Sequence, residues 1–267
     1  MKRITAEELL SYDALVCDMD GVIYRGKRTI RRNVEPLIYL QRMGKVIRFL
    51  TNNSTRTPER YTGKLRGMGF DVSPEDVITS SVATGMYLKG RGIRRAYVIG
   101  SPDLREVLRR YGVRFSPEKA EVVVVGMDPR FTYGKLRRAA SLVYRGKGFV
   151  ATNPDTSLPV EDGVLPGAGS MIAAISAAAG RDPDVVVGKP NPTIFRMATS
   201  GIKGKVLFIG DRLNTDILGG NRAGLDTLLV LTGVHGLEDV KRLSIEPTYY
   251  AEDLASVLPV PVLEHGA

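Results

Sequence analysis

The chain has 267 residues, 43% hydrophobic and 25% charged, proportions of a soluble globular protein with one large domain or two modest ones. Its one cysteine, Cys17, excludes an intrachain disulfide, and beside two distant histidines, His235 and His265, it leaves too few ligands for a Cys/His zinc site. The net charge of +9 is spread over isolated pairs such as Arg31-Arg32, Arg94-Arg95 and Arg137-Arg138, a solvated surface with no basic-aromatic run, and no apolar stretch is long enough for a bilayer, so neither a nucleic-acid nor a membrane partner is expected.

Residues 1–8 turn acidic where a signal peptide would turn apolar, so a cytoplasmic location is expected. Ala14-Leu15-Val16-Cys17 reads as a buried parallel strand ending in Asp18 and Asp20. These carboxylates share a face if the strand persists, and Gly21 allows a sharp exit. Cys17 faces away from Asp18, as a core residue rather than a nucleophile. Residues 22–26 suit a small flap. Asn33 is read as a helix N-cap, with Pro36 in the first turn and Gly44 closing the helix. A strand at 46–50 runs into Thr51-Asn52-Asn53-Ser54. Thr57-Pro58-Glu59 opens a helix, and Ser73-Pro74-Glu75-Asp76 a turn.

A second α/β series begins near residue 80. Strands are expected at 96–100, 122–126 and 149–152, with helices opened by Ser101-Pro102-Asp103 and by Thr132. Asn153-Pro154-Asp155 starts a loop that runs to Gly167-Ala168-Gly169 and an Ala-rich helix. Val185-Val186-Val187-Gly188-Lys189-Pro190 is read as the return to the first series. Asn191 and Pro192 look like an N-cap and first helical residue. A strand at 206–209 ends in Gly210-Asp211, another follows at 227–231, and 259–262 and 264–267 read as a closing segment and a loose tail. The expected architecture is an α/β fold, a Rossmann-like parallel core in two parts, 1–79 and 185–267, with an α/β domain inserted at 80–184.

Four strand ends carry polar residues: Asp18/Asp20, Thr51/Asn52, Lys189 and Asp211/Asp216. In one parallel sheet they would meet at one edge. Carboxylates, a hydroxyl, an amide and an ammonium are the groups needed to hold a phosphoryl group beside Mg²⁺. Two decoys are set aside. Gly167-Ala168-Gly169 has Ile172 where a dinucleotide fingerprint needs a small residue, and Gly188-Lys189-Pro190 lacks the Ser/Thr and upstream glycine of a Walker A loop.

Asp18-Met19-Asp20-Gly21-Val22, Leu50-Thr51-Asn52-Asn53, Gly188-Lys189-Pro190 and Gly210-Asp211-Arg212-Leu213-Asn214-Thr215-Asp216-Ile217 resemble, in order, the four motifs of the haloacid dehalogenase superfamily. The large insertion, with Thr152-Asn153-Pro154-Asp155 and Leu165-Pro166-Gly167-Ala168-Gly169-Ser170, resembles the NagD-like subgroup, which includes p-nitrophenyl, phosphoglycolate and pyridoxal phosphate phosphatases. The resemblance implies a Mg²⁺-dependent phosphatase of small phosphorylated metabolites. Asp18 would be the nucleophile and Asp20 the proton shuttle. Thr51 and Asn52 would bind phosphoryl oxygens, and Lys189 would neutralise charge. Asp18, the Asp20 carbonyl and Asp211 would hold the metal, with Asp216 and Asn214 supporting. Asp216 would act through water or orient Lys189, unless it merely caps a helix. The cap loop is expected over the active site without secondary structure, and Asn153, Asp155, Ser157 and Leu158 would set specificity; a plain connector is the alternative. Its small neutral tip suits a small monoester such as phosphoglycolate. Caps of this type often pair, which keeps a homodimer open. The competing functions are a non-catalytic phospholigand-binding protein and a dehalogenase, which Asp20 argues against.

Overall fold

The computed structural model describes residues 1–160 and 163–260, and for 158–160 only the main chain. The chain divides into two compact units. One holds Met1–Thr51, Tyr61–Ile78 and the chain from Pro190 onward; the other holds Asn52–Arg60 and Thr79–Lys189.

The first unit is built on a seven-stranded sheet. Its order is Lys2–Arg3, Tyr249–Ala251, Asp226–Val230, Val206–Gly210, Ala14–Asp18, Val46–Thr51, Val77–Thr79. The central strand, Ala14–Asp18, pairs in parallel with both neighbours: Cys17 lies opposite Ile209 and Phe49, and Asp18 opposite Leu50. Alternate residues Leu15/Cys17, Ile47/Phe49, Leu207/Ile209 and Leu228/Val230 join one core with Leu37 and Leu40 of the helix Arg31–Arg42. Each such buried aliphatic side chain contributes about 1.5–3 kcal/mol. Cys17 is fully buried there, and its thiol pKa is pushed up by desolvation and then by Asp18.

The helix after the flap corrects one expectation. It begins at Arg31 with Ile30 as N-cap, so Asn33 and Pro36 lie inside it. Asn33 does not cap because its side chain bonds outward, to segments distant in sequence. Pro36 has no N–H for the Arg32 carbonyl one turn back. That carbonyl instead accepts from Ala255 N at 2.8 Å, so the proline opens a docking point for the C-terminal segment. The flap is a short hairpin, Tyr24–Arg25 with Arg28–Thr29. The 261–262 part of the expected closing segment, and the tail at 264–267, lie outside the described residues.

The second unit has a five-stranded sheet, ordered Val185–Val186, Gly148–Ala151, Val122–Val125, Arg95–Ile99, Arg114–Phe115, all in parallel. Helices Tyr133–Tyr144 and Ala168–Ala179 pack on it through Ala139, Ala140, Ile172 and Ile175. Two expectations change. Val185–Val186 pairs with Val150–Ala151 of this sheet, so the return to the first unit comes after this strand rather than at residue 185. The ladder of a two-residue strand is chosen by its neighbour, not by its own sequence. The stretch read as an unstructured loop is an antiparallel hairpin, Ser157–Val160 with Gly163–Pro166. The Gly167-Ala168-Gly169 turn starts a helix: Gly167 N donates to Thr156 O and Gly169 N to Asp155 O, at 2.9 and 2.8 Å.

Candidate active site

Asp18 ends its strand, and Asp211 directly follows the adjacent parallel strand, so the two emerge side by side. A π-turn at Leu213–Ile217 then brings Asp216 back. Asp216 N and Ile217 N both donate to Arg212 O, at 3.0 and 3.1 Å. The Asp216 Oδ2 accepts from Asp211 N at 3.2 Å and Arg212 N at 3.1 Å. Such single π-turns concentrate at functional sites. Asp18, Asp211 and Asp216 are all buried, and each offers one oxygen within 4.8 Å of the other two. Asp216 therefore stands with the other acids and is tied to the backbone of Asp211 and Arg212.

Asp211 is the most constrained of the three. Its Oδ2 accepts from Val234 N at 2.8 Å. Its Oδ1 is buried and has no hydrogen-bond partner among the described residues. Burial, then the charges of Asp216 and Asp18, push its carboxyl well above the usual range. A buried, unpaired carboxylate is costly. Three clustered carboxylates, one of them with an unsatisfied oxygen, suit a hard divalent cation, so these residues fit a metal site of that kind. Two glycines pack directly against the carboxylate. A Cβ on Gly21 would come within 2.3 Å of Asp211, and one on Gly233 within 1.9 Å. Gly21 also has φ +89°, which favours glycine. His235 accepts from Leu213 N on Nδ1 at 2.9 Å and holds the start of the π-turn; burial lowers its pKa.

The strand ends at Asp18, so strand alternation does not reach Asp20. Met19 is fully buried while Asp20 is exposed at the turn, where Gly21 N donates to Tyr24 O at 2.8 Å. Thr51 closes its own strand and is buried.

Asn52, Asn153 and Lys189 are gathered in the second unit. The Asn52 Oδ1 accepts from Lys189 N at 2.7 Å, and its Nδ2 donates to Lys189 O at 3.1 Å. The main-chain oxygen of Asn52 accepts from Ser80 Oγ at 2.6 Å and from Asn153 Nδ2 at 2.9 Å. Lys189 is 3% exposed. It follows Val185–Val186 of the five-stranded sheet, so the expectation that four strand ends of one sheet converge is corrected to three. Asp155 donates its N–H to Asn153 Oδ1 at 3.1 Å. Asn214 is exposed on the π-turn, Ser157 is exposed on the hairpin, and the Leu158 side chain lies outside the described residues.

Sequence reasoning missed Asn33, Thr232, Gly233 and Val234. A signal existed for the last three: Thr232-Gly233 follows the strand Asp226–Val230, as polar turns follow the strands of Asp18 and Thr51.

Known proteins resemble this chain over most of its length. Residues 15–114 match the haloacid dehalogenase-like hydrolase family, and residues 186–257 match a HAD-hydrolase-like family. An acid sugar phosphatase of Staphylococcus aureus (strain USA300) is 39% identical over 248 residues, 91% of this chain and 95% of that protein. The chain belongs to the haloacid dehalogenase-like hydrolase family. Among solved structures of this family, a 4-nitrophenylphosphatase from Thermotoga maritima superposes with TM-score 0.88 at 36% identity, covering 94% of this chain and 98% of that one. NagD from E. coli K-12 superposes with TM-score 0.86 at 30% identity, covering 94% and 100%. This member of the family is NagD-like, and by its relatives it is a phosphoric monoester hydrolase of small phosphorylated compounds.

Proposed function

We propose that this hydrolase is a Mg²⁺-dependent phosphatase that works through an aspartyl-phosphate on Asp18. The observation that carries the reading is the buried acid cluster with its orphaned Asp211 oxygen. Asp18, Asp211 and the main-chain carbonyl of Asp20 would hold the cation, with Asp216 fixing Asp211 through its backbone. When bound, Mg²⁺ supplies positive charge that offsets the phosphoryl oxygens and the clustered acids. An Asp18 oxygen attacks phosphorus, and the ester P–O bond breaks. Asp20, exposed at the turn, gives its proton to the leaving oxygen. The same carboxylate then takes a proton from the water that attacks phosphorus. The P–O bond to Asp18 breaks, and phosphate and free Asp18 are released. Thr51 contacts phosphoryl oxygens. Lys189 supplies a cation to them, and Asn52, expected to bind phosphoryl oxygens itself, acts instead by holding the Lys189 main chain through its amide.

The insertion acts as a cap, and residues 153–158 choose among leaving groups. The substrate is a small phosphate monoester. Phosphorylated sugars head the list because of the Staphylococcus relative's name, with phosphoglycolate beside them. Turnover of p-nitrophenyl phosphate and of a phosphate-ester panel, with EDTA and then with Mg²⁺, tests the reading. Activity should vanish with EDTA and return with Mg²⁺. Full activity after exhaustive chelation would overturn it.

A further inference from the structure

Asn33 is 0% exposed and lies in a helix. Its Nδ2 donates to Val22 O at 2.8 Å and to Thr232 Oγ1 at 3.0 Å, and its Oδ1 accepts from Leu254 N at 2.9 Å. The Thr232 hydroxyl donates in turn to Gly21 O at 2.7 Å. A buried amide with three side-chain bonds to three segments costs little to bury, and each bond restricts where those segments sit. Two of the segments are the turns that enclose Asp211: one carries Asp20 and Gly21, the other Gly233 and Val234. Both glycines approach the Asp211 carboxylate too closely for a Cβ, and Val234 N–H aims its Oδ2. The spacing between the turns therefore sets where the carboxylate lies. Thr232 is the direct tie across that spacing, and Asn33 anchors it. A second tie runs on the outside, from Arg25 Nη2 to Gly233 O at 2.5 Å.

We propose that Thr232, anchored by Asn33, is a positioning residue that closes these two turns around Asp211 and sets the affinity of the acid cluster for a divalent cation. Arg25 assists from the flap. Residues that orient metal ligands through hydrogen bonds typically change metal affinity about 10–100-fold when lost. The proposal rests on the metal reading above and is separable from it.

The experiment measures Mn²⁺ binding to the metal-free full chain by titration calorimetry, with melting temperature recorded in parallel. Thr232→Val keeps the shape and removes the hydroxyl, while Thr232→Ser keeps the hydroxyl. Thr232→Val should bind Mn²⁺ about tenfold more weakly, and lower kcat at subsaturating Mg²⁺ with little change in KM for p-nitrophenyl phosphate. Thr232→Ser should stay within about twofold of the parent, since it retains the tie. Should Thr232→Val not fold, Arg25→Met, at an exposed residue, decides: it should weaken Mn²⁺ about two- to threefold, as loss of one exposed hydrogen bond. Failure of the parent chain to bind Mn²⁺ would remove the metal reading itself. A parent that binds, with a folded Thr232→Val of unchanged affinity or with Val and Ser variants equally weakened, would overturn this proposal alone. Unchanged affinity in Arg25→Met would do the same where Thr232→Val does not fold.

Discussion

Two buried polar clusters in this protein differ in kind. In the second unit, Asn52 holds Lys189 by a reciprocal amide pair, and Ser80 and Asn153 converge on the Asn52 carbonyl. In the first unit, Asp18, Asp211 and Asp216 crowd three carboxylates together and leave Asp211 Oδ1 without a partner among the described residues. The Asn52 amide bonds only neutral main-chain groups of Lys189, so it fixes that backbone at little cost. The acid cluster raises the pKa of Asp211, a crowding of charge that the proposed cation would offset. A closed network holds a residue in place, whereas an open charged one marks where chemistry enters.

The hardest break in this contrast is the nucleophile. Asp18→Asn should lose essentially all turnover, and Asp20→Asn, which keeps the attacking oxygen, about 10²–10⁴-fold. Steady-state assays on enzyme free of contaminating phosphatase check both. Turnover surviving in Asp18→Asn would separate the acid cluster from the reaction.

The stability of the acid cluster comes next. Because folding raises the Asp211 pKa, the folded chain binds that proton more tightly than the unfolded one. Its contribution is favourable at low pH and is lost as pH rises from the ordinary value of 3.8 through the raised one. In EDTA, stability relative to Asp211→Asn should fall as pH rises, and saturating Mg²⁺ should reverse the trend. The Asn variant should gain stability over the parent in EDTA as pH rises, since it removes a carboxyl whose ionised form is uncompensated. Denaturant titrations at several pH values measure this; a flat difference would make the cluster as closed as the amide network.

Asn52→Ala sharpens the other half. It removes two hydrogen bonds to Lys189, so stability should fall by about 1–2 kcal/mol. Mn²⁺ affinity should stay at the parent value while kcat/KM drops. A loss of Mn²⁺ affinity matching that of Asp211→Asn would erase the distinction between the two clusters. The smallest effect is expected at Leu158. Leu158→Ala should change relative kcat/KM among phosphate esters by about tenfold and leave Mg²⁺ dependence alone. An unchanged ranking across the panel would remove residues 153–158 from substrate choice.

Much of this protein was legible in order along the chain. The apolar runs ending in Asp18, Thr51 and Gly210 are strands, the first buried throughout and the other two at their C-terminal ends, and a short apolar run with a polar end announces such a strand. Thr132, Ser101 and Asn191 cap helices with their own side chains, a signal complete within three residues. Asn33 misled because an Asn near a helix start caps or not according to what else it can reach, and its partners Thr232 and Leu254 are 199 and 221 residues away.

By itself, the sequence determined the alternation of strands and helices, the order of the four motifs and the identity of the acids, because each is carried by a few contiguous residues. Only the tertiary structure decided that Val185–Val186 joins the second sheet, that 157–166 forms a hairpin, that a π-turn carries Asp216 to Asp18 and Asp211, and that Thr232 ties two turns around Asp211. A strand's partner, a turn's register and the contacts of a buried side chain are chosen by segments far apart in the chain. Their selection depends on hydrogen bonds and packing that exist only once those segments have met.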